Sequence, residues 1–192
     1  MKKIIDVRNK PCPEPVLETK KALQSANFSE LEIITNSDIS KENISRFLNS
    51  MAINFEVSQI DGDYHIYIKG SQNISDIPKN EDKKKQIFII SKNYLGEGDK
   101  TLGEILIKSF FHTLNELDEL PQTLFFVNSG VYLTVSQSPV LEDIKNLECK
   151  GVEILSCGTC LDYYHLKEKL AVGKIGNMFR LLELLKEGGI LI

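Results

Sequence analysis

Near the start of the chain a cysteine stands between two prolines, in the stretch Pro11-Cys12-Pro13-Glu14-Pro15. A second pair, Cys157 and Cys160, has the spacing Cys-Gly-Thr-Cys. Thiol chemistry is done by the thiolate, which is favoured where backbone N–H groups and the positive end of a helix dipole face the sulfur. Proline is tolerated in the first turn of a helix, where its missing N–H would have no partner anyway. Pro13 and Pro15 therefore mark a helix start, with Cys12 at or beside the N-cap. Arg8 and Lys10 are close in sequence and would add positive charge. A sulfur so placed can attack an electrophilic sulfur or hold a terminal sulfur as a persulfide, and a carrier needs no general base. The plainer alternative is a small apolar side chain filling space beneath the helix.

Cys157 and Cys160 follow the strand-like "VEILS" and open a helical stretch. A Cys-x-x-Cys at a helix mouth activates the first thiol and lets the second resolve a mixed disulfide. Two other readings stand beside this one. The pair is half a zinc site completed by Cys149 and His165, or it is inert packing. The absence of a second Cys-x-x-Cys argues against zinc, so no metal is expected. Tyr163 and Tyr164 either wall the site or pack. His65 is expected on the solvent face of a strand, and His112 on a helix as a packed or surface residue. "LGEGDKTLG" follows a strand and opens a helix, but it lacks the spacing of a phosphate-binding loop and reads as a structural turn.

These residues must be positioned by two α/β halves. In residues 1–70, "KKIIDV" fits a strand and 13–26 a helix with Val16, Leu17, Leu23 and Ala26 on one face. "LEIITN" is a second strand, and 39–50 a helix with Ile39, Ile44, Phe47, Leu48 and Met51. "NFEVSQI" and "YHIYIK" are joined by the hairpin signal Asp61-Gly62-Asp63. The order βαβαββ predicts a two-layer sandwich with a mixed sheet. Residues 71–86 are polar and read as a linker.

Residues 87–192 alternate strand and helix, which predicts a three-layer αβα domain with a mainly parallel sheet. "QIFIIS", "TLFFVN", "VEILS" and the terminal "ILI" are its strands. The helix after "LGEGDK" carries the capping-box pair Thr101 and Glu104, and an apolar stripe of Leu102, Ile105, Leu106, Phe110, Leu114 and Leu117. Asn128-Ser129-Gly130 reads as a turn and 138–148 as a helix. A further helix over 177–187 places Met178, Leu181, Leu182 and Leu185 on one face.

With a net charge of −4, the chain offers no nucleic-acid stripe; Lys83-Lys84-Lys85 follows Glu81 and Asp82 and reads as a solvated segment. No signal peptide and no apolar run long enough for a membrane span is visible. The expectation is a cytoplasmic protein with reduced cysteines, reactive rather than disulfide-bonded.

"DVRNKPCPEPVLETKKAL" resembles the signature of the TusA family, also called SirA-like, of small sulfur-carrier proteins. That signature is a strand ending in Asp-x-Arg, a short turn, then Cys-Pro-x-Pro and a helix. Asp6, Arg8, Cys12, Pro13 and Pro15 match it. The resemblance implies that Cys12 is the carrier, receiving sulfur as a persulfide and passing it to a partner. Residues 87–192 resemble the DsrE-like fold of sulfur-relay proteins. With "LSCGTCLDYY" and "VGKIGNM" present, the whole chain resembles the YedF family, associated with selenium metabolism in bacteria. This implies a sulfur or selenium carrier, sulfurtransferase-like, without a cofactor, in which Cys157 and Cys160 take part in the relay. Its partners would be a donor of the cysteine-desulfurase type and other sulfur-relay proteins, with a homo-oligomer formed through the DsrE-like domain. The alternative is a non-catalytic interaction module that oligomerises and binds a relay partner.

Overall fold

The computed structural model describes residues 2–25, 28–69 and 86–192. The chain divides into two compact units, Met1–Glu81 and Asp82–Ile192. The expected linker, apart from Gln86, lies outside the described residues, and so does Ala26. The Gln86 carbonyl accepts the Gln122 N–H at 2.8 Å, so this residue belongs to the second unit's backbone network.

In the first unit, strands β1 (Lys2–Asp6), β2 (Glu30–Thr35), β3 (Glu56–Ile60) and β4 (Asp63–Lys69) form one sheet in the order β1-β2-β4-β3. Helix α1 (Glu14–Gln24) joins the parallel pair β1 and β2, and the other pairs are antiparallel. Helix α2 (Asp38–Ser50) is capped by the Ser37 hydroxyl, which accepts the Ser40 N–H. Strand alternation sends Leu31, Ile33, Ile66 and Ile68 to the face that meets Ala22, Leu23, Ile44 and Leu48 of the helices. Asp61 and Gly62 both have left-handed φ, 51° and 92°, as a two-residue hairpin turn requires. The mixed two-layer sandwich is the expected one.

One side chain departs from its expected face, and another gains an unforeseen partner. Ile39 is 71% exposed, because it lies roughly 140° around the helix from Ile44, which meets the sheet. His65 faces away from the helices yet is half-buried: its Nδ1 lies 2.7 Å from the Glu32 carboxylate, which Lys2 also meets at 2.7 Å. A carboxylate this deep needs matching partners. Lys2 first and His65 second hold Glu32 below its ordinary range.

In the second unit, β5 (Ile87–Ile90), β6 (Thr123–Phe126), β7 (Glu153–Cys157), β8 (Lys174–Gly176) and β9 (Ile190–Leu191) form an all-parallel sheet in the order β8-β7-β6-β5-β9. Ile90, Leu124, Phe126 and Ile154 pack with helices α3 (Lys100–Asn115) and α4 (Leu141–Cys149). Ile87, Ile89, Phe125, Leu155 and Cys157 pack with Leu181 and Leu184 of helix α6 (Met178–Lys186). A short helix, α5 (Gly158–Tyr163), follows β7, and a 3₁₀ segment, Asn128–Thr134, follows β6. The three layers and their parallel sheet agree with the expected class.

The helix faces needed correction. Asp99, not Thr101, caps α3, accepting the Leu102 N–H at 2.9 Å. The helix buries Gly103, Ile107, Phe111 and Leu114, leaving Leu102, Ile105 and Leu106 exposed; Leu117, also exposed, lies past its end. Helix α6 buries Leu181 and Leu184 and exposes Met178, Leu182 and Leu185. Both helices carry more than one apolar stripe, and periodicity alone does not say which stripe the sheet takes.

The 3₁₀ segment lies hard against the end of β5. A Cβ on Gly130 would stand 2.2 Å from the Ile90 carbonyl oxygen. Gly130→Ala should therefore cost about 2 kcal/mol or more. Denaturant unfolding checks this: a lowered midpoint is expected, and an unchanged one would refute the close approach.

Candidate functional site

Cys12 lies on the loop between β1 and α1, and the loop is pinned at several points. The Val7 N–H bonds the Ile34 carbonyl at 2.9 Å. Arg8 Nε donates to both Asp6 carboxylate oxygens, at 3.0 and 3.1 Å, and Arg8 Nη1 reaches Asp63 at 2.9 Å. Asn9, at φ 60°, donates its backbone N–H to Asn36 Oδ1 at 3.0 Å. Pro13 is the N-cap of α1, and Pro15, in the first turn, is buried. Cys12 stands one residue before the cap, joined to Pro13 by a cis peptide bond, and its side chain is exposed.

The expected electrostatic surroundings of this thiol are partly committed elsewhere. The Glu14 N–H bonds the Pro11 carbonyl at 3.0 Å, and the Val16 N–H bonds the Pro13 carbonyl at 3.1 Å. The Arg8 guanidinium is paired with Asp6 and Asp63, and Lys10 with Glu18. Asp6 and Arg8 thus shape the loop that presents the sulfur. Cys12 itself has accessibility and a place at the helix entry.

The other thiols gather at the carboxyl end of the parallel sheet. Cys157 ends β7, precedes α5 as its N-cap and is 3% exposed, turned toward α6. Cys160 is half-buried. Its Sγ accepts the Asn128 backbone N–H at 3.1 Å. Burial pushes the Cys160 thiol up, the neighbouring Cys157 thiol adds to this, and the Asn128 amide pulls the other way.

Asn128 is held in place from two sides. It opens the 3₁₀ segment at φ 52°, and the Tyr164 hydroxyl donates to its Oδ1 at 2.8 Å. The same segment is tied to β7 by the buried hydroxyls of Thr134 and Ser156, 2.9 Å apart. The Tyr132 ring centre lies 5.0 Å from that of Tyr164, and Tyr132 also lines a cleft of about 400 Å³ with Asn93, Lys108, Gln137 and Lys169. Asn128 and Tyr164 are the site residues whose roles a linear reading misses. The available signal is an asparagine directly after a buried strand, a residue type that adopts left-handed φ readily.

Cys149 does not join this group. It ends α4 and precedes the amino end of β7, whereas Cys157 is at that strand's carboxyl end. His165 is exposed. Among the described residues no three His, Cys, Asp or Glu side chains are grouped to hold a metal ion. "LGEGDKTLG" forms a turn in which the Leu95 N–H bonds the Gly103 carbonyl at 3.0 Å.

Residues 84–192, more than half of the chain, match the family model described as "DsrE/DsrF-like family". The chain belongs to the DsrE/DsrF-like family. Residues 3–70 match the family model described as "Sulfurtransferase TusA", so a TusA-type domain precedes the DsrE-like one. Three solved structures are similar to parts of the chain. A SirA-like protein from Desulfitobacterium hafniense is 28% identical and covers 36% of this chain and 96% of its own, with a TM-score of 0.33. A protein of unknown function from Methanobacterium thermoautotrophicum is 17% identical over 56% of this chain and 96% of its own, TM-score 0.42. The ychN protein of E. coli is 18% identical over 56% of this chain and 99% of its own, TM-score 0.41. No curated protein matches the chain. Among the described residues no helix is long and apolar enough to cross a membrane. The two family matches indicate a role of the sulfur-relay type.

The Asp6–Arg8 pair makes a testable statement about pH. Hydrogen bonds from Arg8 hold the Asp6 carboxyl down to about 2, against an ordinary 3.8. A depressed folded value means that the pair's contribution is present above the ordinary value and is lost as pH falls toward 2. NMR titration of Asp6 should show this low midpoint, and Arg8→Gln should return it toward 3.8. A midpoint near 3.8 in the unmutated protein would show that the pair does not form in solution.

Proposed function

We propose that this chain is a cytoplasmic sulfur- or selenium-handling carrier that bears a persulfide or selenopersulfide on Cys12. The observation that carries this reading is the exposed Cys12 thiol at the entry of α1, inside the segment that matches the TusA family. Cys12 as thiolate attacks the outer sulfur of a donor persulfide. The donor S–S bond breaks, the donor leaves as a thiolate, and Cys12 holds the S–SH group; the Cys12 sulfur is oxidised as the donor sulfur is reduced, so the exchange needs no outside oxidant or reductant. A donor of the cysteine-desulfurase type fits this step, with other sulfur-relay proteins downstream.

Cys157 and Cys160 receive the atom next. Attack by the Cys157 thiolate on the inner sulfur of a Cys160 persulfide forms the Cys157–Cys160 disulfide and expels hydrosulfide. The sulfane sulfur is reduced as the dithiol is oxidised, and a dithiol reductant resets the pair. Selenium follows the same steps, and the support for it is the whole-length resemblance to the YedF family. The chain acts as a carrier rather than a turnover enzyme.

Intact mass after incubation with a cysteine desulfurase and cysteine tests the reading. The wild type should gain one sulfur, Cys12→Ala should fall to background, and Cys157→Ala and Cys160→Ala should still load. Failure of the wild type to load refutes it.

A second reading is a non-catalytic module that oligomerises through its DsrE-like domain. The observation favouring assembly is the outer face of α6, where Phe179 is 72% exposed beside Met178 and Leu182. Homo-oligomerisation is compatible with the carrier as well. Sedimentation should show an oligomer that Phe179→Asp weakens, and a monomeric wild type removes this face from consideration.

A further inference from the structure

We infer that the backbone N–H of Asn128 is the anion-stabilising donor for the Cys160 sulfur, and that Tyr164 is the positioning residue that holds this donor in place. The inference rests on the relay reading for its biological meaning and sharpens it. Cys160, not Cys157, is the sulfur of the pair that accepts the chalcogen.

Three independent features support it. The first is the donor itself. The Asn128 N–H points at Cys160 Sγ from 3.1 Å, and it comes from a neighbouring strand end rather than from the cysteine's own helix. A hydrogen bond to the charged form of a thiol favours that form, and it also serves the terminal anion of a persulfide growing from the same sulfur. The second is the restraint. Asn128 keeps a left-handed φ of 52°, and its side-chain oxygen accepts the Tyr164 hydroxyl at 2.8 Å. Tyr164 lies four residues beyond Cys160, with its N–H bonded to the Cys160 carbonyl at 3.0 Å. The phenol and the thiol therefore ride on the same turn, and the loop amide is clamped between them. The third is the contrast within the pair. Cys157 is 3% exposed and faces the α6 core, whereas Cys160 is half-buried between the two cores of the unit. An incoming persulfide can reach Cys160. Cys157, buried in the core cluster against which Cys160 packs, is placed to attack it afterwards.

The roles divide by chemistry. Asn128 touches the reacting sulfur through its amide. Tyr164 acts through Asn128. Losing the Tyr164 hydroxyl frees the loop to drift, and burial then goes uncompensated at Cys160.

The test measures the alkylation rate of Cys160 by iodoacetamide against pH, in full-length protein carrying Cys12→Ser and Cys149→Ser. Tyr164→Phe should raise the midpoint of the profile by about half to one pH unit. That is roughly threefold to tenfold less thiolate at neutral pH. Asn128→Gly keeps the backbone N–H and tolerates the left-handed φ but removes the oxygen, so it should shift the midpoint in the same direction. Tyr163→Phe, which alters the exposed neighbouring ring, should leave it unchanged. Circular dichroism of each variant separates a shifted profile from unfolding. Midpoints that stay put in both folded variants overturn the inference, as does faster alkylation of Cys157 than of Cys160. The outcome is separable from the relay reading, because alkylation needs no donor. Cys12 loading with unmoved midpoints sinks this inference alone, and moved midpoints without loading sink the relay alone.

Discussion

Parallel strand pairing constrains where chemistry can be placed in both units. When neighbouring strands run the same way, each must leave the sheet at the same edge and return through a helix on its face. β1 and β2 do this in the first unit, and all five strands do it in the second. Cys12 follows the exit of β1, and Cys157 is the last residue of β7. Asn128 follows β6, the neighbour of β7, so two adjacent strand ends bring an amide to a thiol from distant sequence. Cys149 lies ahead of the amino end of β7, and the same rule keeps it out of the group.

The two thiol sites solve different physical problems. Around Cys12 the charges hold each other: Arg8 with Asp6 and Asp63, Lys10 with Glu18. These pairs set the path of a short loop while the sulfur stays open to solvent. Around Cys160 the sulfur's surroundings are an amide and a second thiol. There burial opposes the anion and one directed N–H works against that burial. A half-buried sulfur is screened from water but still reachable by a small reactant.

Much of the architecture was legible. Alternation in "YHIYIK" and the Asp61-Gly62 signal place the hairpin, and the apolar strands of the second half give a parallel sheet between helices. Helix faces were less legible. In α3 the exposed Leu102, Ile105 and Leu106 are as apolar as the residues the sheet takes. Gly103 is buried where the chain turns back on it: a Cβ there would stand 3.0 Å from the Leu95 carbonyl oxygen. A glycine adds nothing to a hydrophobic count, so a close backbone approach is invisible to periodicity. The partner of His65 was not legible for a related reason, since Glu32 lies 33 residues away in sequence and only strand pairing brings the two together.

Local sequence alone sufficed to mark Cys12 and the Cys157–Cys160 pair, because a proline-started helix and a Cys-x-x-Cys after a strand are short-range patterns. Pro13 at the cap and the Asp6–Arg8 contact are likewise settled within a few residues. Only the folded sheet decided which thiol of the pair is accessible, which cations are already neutralised, and which amide meets Cys160. Those outcomes depend on strand neighbours and burial, and both arise from contacts between residues tens of positions apart.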